Sequence, residues 1–145
     1  MGQQQLLLII LGVIIVGIAI AVGINMFATS ATESNRQALI GDLMNYGARA
    51  QRYLKTPESL AGGGQDFQGF FLVDREKTNG NGTFNSTTTE PSAVTAVVAE
   101  ADSISTAATT IYIEGSGNEV GNDGTNLVKV YVEVTGTSIT SNVLN

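Results

Sequence analysis

The chain has 145 residues, a formal net charge of −6, and neither cysteine nor histidine. The missing cysteines exclude disulfide staples, thiolate metal sites and attached haem, and the missing histidines remove the commonest general base and metal ligand. Charge is unevenly divided: residues 29–55 carry four basic and two acidic side chains (+2), and residues 56–145 carry three basic and eleven acidic ones (−8). Such an acidic surface repels phosphate backbones and argues against a nucleic-acid partner.

Hydropathy is divided just as sharply. Residues 6–24 are all apolar or glycine, and no charged side chain precedes Glu33. A run of this length matches a bilayer core of roughly 30 Å. Being apolar all round, such a helix needs lipid or protein on every side. A cleaved secretory signal has a positive n-region and an apolar stretch of about 7–15 residues. Here the opening Met1-Gly2-Gln3-Gln4-Gln5 is uncharged and the apolar run is longer, so the segment is expected to be retained.

Residues 25–54 contain no proline. Within them Leu39, Leu43, Tyr46, Ala50 and Tyr53 or Leu54 recur at three- and four-residue steps, the period of one helical face. Arg36, Asp42, Asn45, Arg49, Arg52 and Lys55 fall mostly elsewhere on the wheel, and Thr56-Pro57 is the first plausible stop. The pattern predicts one helix over about residues 3–55, roughly 80 Å long. Residues 1–27 form its apolar part and 28–55 an amphipathic stem. Gly12, Gly17, Gly23, Gly41 and Gly47 each lower helix propensity by about 1 kcal/mol relative to alanine. Close approach of neighbouring helices at small residues is the favoured explanation; a stretch over 12–23 that unwinds is the alternative.

Residues 56–66, with Ala61-Gly62-Gly63-Gly64-Gln65, read as a flexible connector. Residues 67–145 read as a β-rich surface domain. Strands are expected over 67–73, 83–89, 93–101, 109–114, 127–134 and 139–144, with a hairpin turn at Asn79-Gly80-Asn81-Gly82 and a loop over 115–126. The clearest strand places Val128, Val130, Val132 and Val134 on one face and Lys129, Tyr131 and Glu133 on the other. About 80 residues without disulfides bury only a small core, so support from the helix and from neighbouring subunits is expected. The fold class is α+β.

No catalytic constellation is present, and the chain is expected not to be an enzyme or to hold a cofactor. Glu100 and Asp102 merely share a strand face. The Gly-x-Gly spacings at 62–64 and 115–117 lack the strand-to-helix context of a phosphate cradle. Residues 119–124 are acidic and Asn/Gly-rich but lack calcium-loop spacing, and Asn122-Asp123-Gly124 is ordinary turn chemistry. Asn81 and Asn85 head N-x-[ST] sequons and are candidate glycosylation positions. Phe27, Tyr46 and Tyr53 lie too far apart on the helix for conduction and suit core and interface contacts.

An oily helix running into an amphipathic half, then a loop and a β-rich domain, resembles the type IV pilin and pseudopilin family. The resemblance spans the architecture of the whole chain and is specific over residues 1 to about 55. In that family a leader is removed by a dedicated peptidase, and a glutamate at the fifth mature position neutralises a neighbour's terminal amine. Placing Met1 at the first mature position puts Gln5 at the glutamate site, with the same shape and no charge. The mid-helix proline of bacterial pilins is absent too, with Val22 in its place; archaeal pilins lack it as well and often carry Thr-rich β-domains.

The resemblance implies a homo-oligomeric helical filament at the cell surface, with an inner-membrane precursor pool and a dedicated pilus assembly machinery as partner. Its assembly and processing residues would be Met1, Gln5, Leu6, Leu7, Ile10, Gly12, Val13, Ile14, Gly17, Ile18, Ile20, Gly23, Ile24 and Phe27. Adhesion and motility are roles such filaments serve. A minor pilin or pseudopilin of a secretion or uptake system, or a single-pass anchored binding domain, are the alternatives.

Overall fold

The computed structural model describes residues 2–92, 94 and 103–145. It opens with one α-helix, α1 (Gly2–Lys55), about 80 Å long at 1.5 Å per residue. The helix runs unbroken through Gly12, Gly17 and Gly23. It ends at the expected Thr56-Pro57, but residues 56–66 are a folded cap and not a flexible connector. The N–H groups of Gly63 and Gln65 donate to the carbonyls of Tyr53 and Leu54, each at 2.8 Å, and Gly64 donates to Thr56 at 2.9 Å. These bonds satisfy carbonyls that a helix C-terminus otherwise leaves bare. Gly63 is required there, since a Cβ would sit 1.7 Å from the Asp66 carbonyl oxygen.

Among the described residues five strands follow in chain order, β1 (Thr78–Asn79), β2 (Gly82–Thr87), β3 (Thr110–Val120), β4 (Leu127–Thr135) and β5 (Ile139–Val143). Each pairs antiparallel with the next in one five-stranded meander. A long helix followed by an antiparallel sheet makes the fold α+β, as expected. The Asn79–Gly82 turn is a tight hairpin in which Asn79 pairs with Gly82, and Asn79 Oδ1 accepts from the Asn81 N–H at 2.8 Å.

Two further expectations fail. Residues 67–73 form no strand; they turn through Gly69 (φ 83°) into a short helix, α2 (Asp74–Lys77). Phe67 and Phe70 are instead buried plugs in the core, tied to the chain at Ala108 and Ile104 by backbone hydrogen bonds of 2.9 Å. The expected loop over 115–126 is half strand, because β3 continues to Val120. Its Gly115 and Gly117 break the usual strand pattern for a packing reason given below. The expected strand over 93–101 lies outside the described residues apart from Val94, as do Glu100 and Asp102.

The amphipathic half of α1 lies across one face of the sheet. Leu39, Leu43, Gly47, Ala50 and Leu54 are buried against Ile111, Ile113, Val128, Val130, Val132 and Val134, with Phe67, Phe70, Leu72, Phe84 and Ile104 completing the core. Tyr46 meets the Phe84 ring edge-on at 5.1 Å and Tyr53 meets Phe70 at 5.7 Å. Helix and sheet approach closely because the contact runs over glycines. A Cβ on Gly47 would lie 3.1 Å from Ile139 Cγ2, one on Gly115 3.1 Å from the Phe84 ring, and one on Gly117 2.0 Å from Asn35 Oδ1.

A polar seam fixes the register of stem against sheet. Asp42 Oδ2 accepts from the side-chain amides of Asn79 (2.8 Å) and Asn81 (2.7 Å). Asn35 Nδ2 donates to the Asn81 carbonyl, Arg36 Nη2 to that of Asn145 and Gln51 Nε2 to that of Thr135, each at 2.9 Å. Arg49 pairs with Glu76, donates to the Phe71 carbonyl and stands 5.1 Å over the Phe70 ring. The sheet face turned away from α1 is also largely buried. Asn85, Glu114, Lys129 and Tyr131 are each under 10% exposed, and Lys129 Nζ lies 3.3 Å from Glu114 Oε2, so these two buried charges are compensated.

Candidate assembly surface

Below Thr32 the helix leaves its domain and stands free. From Leu6 to Phe27 sixteen large apolar side chains are exposed, between 47% for Ile10 and 79% for Phe27. None of the most apolar stretch of α1 is buried, and the helix is long and apolar enough to cross a membrane. Each such side chain gains ~1.5–3 kcal/mol when taken fully out of water. An isolated chain in water therefore carries a large penalty that lipid or protein must remove.

Gln5, Leu6, Leu7, Ile10, Val13, Ile14, Ile18, Ile20, Ile24 and Phe27 all lie on this free segment, with Met1 outside the described residues. They are not gathered into one patch but encircle the helix. Gly12, Gly17 and Gly23 have nothing within 4 Å of where a Cβ would be, so within one chain they leave shallow notches. Gly47, by contrast, is filled by the chain's own sheet. No fixed charge lies on the helix before Glu33, and Glu33 itself is paired with Arg36.

The other candidate positions lie on the domain. Asn81 is in the hairpin turn with its amide donated to Asp42. Asn85 is 6% exposed within the sheet, so the folded domain presents only the first sequon. The acidic turn after β3 is organised by Asp123, whose carboxylate accepts from Asn126 Nδ2 at 2.6 Å and from the N–H groups of Asn126 (3.0 Å) and Thr125 (3.1 Å). Those bonds hold its pKa down at about 2. Asp66 is lowered for a similar reason, through the N–H groups of Ala108 and Gln68. Asp123 holds its own turn, and Asp66 holds the turn to Gln68 and ties it to Ala108. Among the described residues, no group of three or more Asp or Glu side chains is placed to hold a metal ion.

Among the described residues of the domain, sequence reasoning did not single out six apolar side chains that stay exposed: Leu60, Phe71, Val73, Val120, Leu127 and Val143. Leu127 opens a strand whose other apolar residues are buried, and Val143 ends a strand in which Ile139 is only half-buried. No family model matches the chain, and no curated protein or solved structure matches it either.

Proposed function

We propose that this chain is a structural subunit of an extracellular, type IV pilus-like filament, assembled by packing of its N-terminal helices. The observation that carries the reading is the free half of α1, apolar on every side, uncharged and rigidly continuous with a stem docked on the domain. A membrane holds this segment in a precursor pool, and sister helices replace the lipid on assembly, so one surface suits both environments. Notches at Gly12, Gly17 and Gly23 admit close helix–helix approach. The acidic domain then coats the outside and limits random association. A dedicated assembly machinery extracts the subunit from the inner membrane.

A stem that continues about thirty residues past the apolar run favours a filament over a simple anchor. The test is negative-stain microscopy of material sheared from cells expressing the chain. Long uniform fibres composed mainly of it are expected. A chain that stays wholly in the membrane fraction, with no fibres, overturns the reading in favour of a pseudopilin or an anchored binding domain.

A further inference from the structure

The hairpin that docks on the stem reads Asn79-Gly80-Asn81-Gly82, two Asn–Gly steps in succession. Such a step is where a chain most readily loses side-chain ammonia, because glycine has no side chain to keep its backbone nitrogen away from the asparagine Cγ. The structure restrains both steps through one carboxylate. Asn79 Nδ2 and Asn81 Nδ2 donate to the same oxygen, Asp42 Oδ2, at 2.8 and 2.7 Å. Asn79 Oδ1 in turn accepts from the N–H groups of Asn81 (2.8 Å) and Gly82 (3.2 Å), and the Asn81 carbonyl accepts from Asn35 Nδ2 on α1. The Gly82 nitrogen, the nucleophile that Asn81 needs, is thus held on a neighbouring side chain. Asn79 likewise cannot turn its Cγ onto the Gly80 nitrogen without giving up its bonds to Asp42, Asn81 and Gly82 together. Gly82 has a packing reason to be glycine, since a Cβ would lie 2.1 Å from the Ser116 carbonyl oxygen.

We propose that this hairpin is a site of spontaneous deamidation guarded by Asp42, and that the reaction makes undocking of the hairpin from the stem permanent. Once the hairpin leaves Asp42, the Gly80 or Gly82 nitrogen attacks the Cγ of the asparagine before it. The N–Cγ bond forms, the Cγ–Nδ2 bond breaks, the glycine N–H proton passes to the leaving nitrogen, and ammonia departs from a cyclic imide. Water then opens the imide at either carbonyl and leaves aspartate or isoaspartate. The product carries a carboxylate where an amide donor stood. Redocking would set it against Asp42 at hydrogen-bond distance, where like charges repel and neither oxygen has a proton to give. Isoaspartate also adds an atom to the backbone of a turn whose Asn79 and Gly82 are paired directly. The inference concerns the seam within a single chain and is independent of the filament reading.

The test follows conversion at Asn79 and Asn81 by peptide mass spectrometry, in full-length chain held in detergent and mildly alkaline buffer. The folded parent is expected to convert slowly and the urea-unfolded parent fast. Asp42→Ala, its fold checked by the near-ultraviolet tyrosine signal, is expected to convert about tenfold faster than the folded parent, as loss of hydrogen bonds to a charged group implies. A folded Asp42→Ala chain that converts at the parent rate overturns the guarding role. So does a folded parent that converts as fast as the unfolded one, a comparison that holds even if Asp42→Ala does not fold. Asn81→Asp tests the consequence. Amide exchange at Asn81 and Gly82 is expected to quicken while the central strands β3 and β4 stay protected. Hairpin protection equal to that of the parent overturns the claim that undocking becomes permanent.

Discussion

The Asp123 carboxylate shows how much of the domain's detail rests on single side chains. It is fully exposed, yet three donors from Thr125 and Asn126 hold the turn between β3 and β4 around it. Its pKa stands at about 2, below the ordinary carboxylate value of about 4. A carboxylate lowered on folding stabilises the fold above its ordinary value and loses that contribution as pH falls through the folded value. The turn should therefore loosen between about pH 4 and pH 2. Amide exchange at Thr125 and Asn126 checks this: protection falls over that window in the parent chain, whereas Asp123→Ala is unprotected and flat with pH. Protection that persists unchanged below pH 2 would contradict the assignment. The Asx turn chemistry of Asn122-Asp123-Gly124 is readable in the sequence because it is local. The cross-strand bonds of Asn145 to Leu127 and Lys129 are not, since they join residues far apart in the chain.

Among the elements, α1 and β4 are the most legible. The helix announces itself by an unbroken apolar run followed by a three-to-four residue period, and β4 by strict alternation; both signals are local and strong. The apolar burst at 67–73 misleads because aromatic residues plug cores as readily as they line strands, and Gly69 turns the chain there. Gly115 and Gly117 mislead in the opposite direction. In sequence they are loop punctuation, but in space they are the strand positions over which α1 passes. This yields a prediction: Gly117→Val drives its Cβ into Asn35 Oδ1 and Leu39 Cδ1, 2.0 and 3.0 Å away. Overpacking of that kind costs about 1–3 kcal/mol, measurable as a lowered urea midpoint in detergent-solubilised chain. Gly124→Ala serves as a comparison at a glycine with open space but positive φ (71°). A Gly117→Val variant as stable as the parent would show that α1 does not pass so close to β3.

At the scale of the whole molecule, the chain is two unlike surfaces on one rod. The upper half of α1 is consumed by the domain's core, and the lower half is left for something else to cover. Ile15→Asp or Val16→Lys tests that division, since a charge at the middle of the apolar run is costly in lipid and in a helix bundle alike. Sheared fibres are expected to disappear, while the domain keeps its fold, read by its near-ultraviolet tyrosine signal. Normal fibres from either variant would mean that the free half is not buried in the assembly.

The sequence by itself determined the long helix, its apolar and amphipathic halves, its stop at Thr56-Pro57 and the α+β class, because periodicity and composition act along neighbouring residues. Only the tertiary structure decided which glycines let helix and sheet meet and that residues 56–66 cap the helix. It alone also showed that Leu60, Phe71, Val73, Val120, Leu127 and Val143 stay outside the core. Those outcomes depend on what each residue faces across the fold, and the order of residues along the chain does not contain that distance.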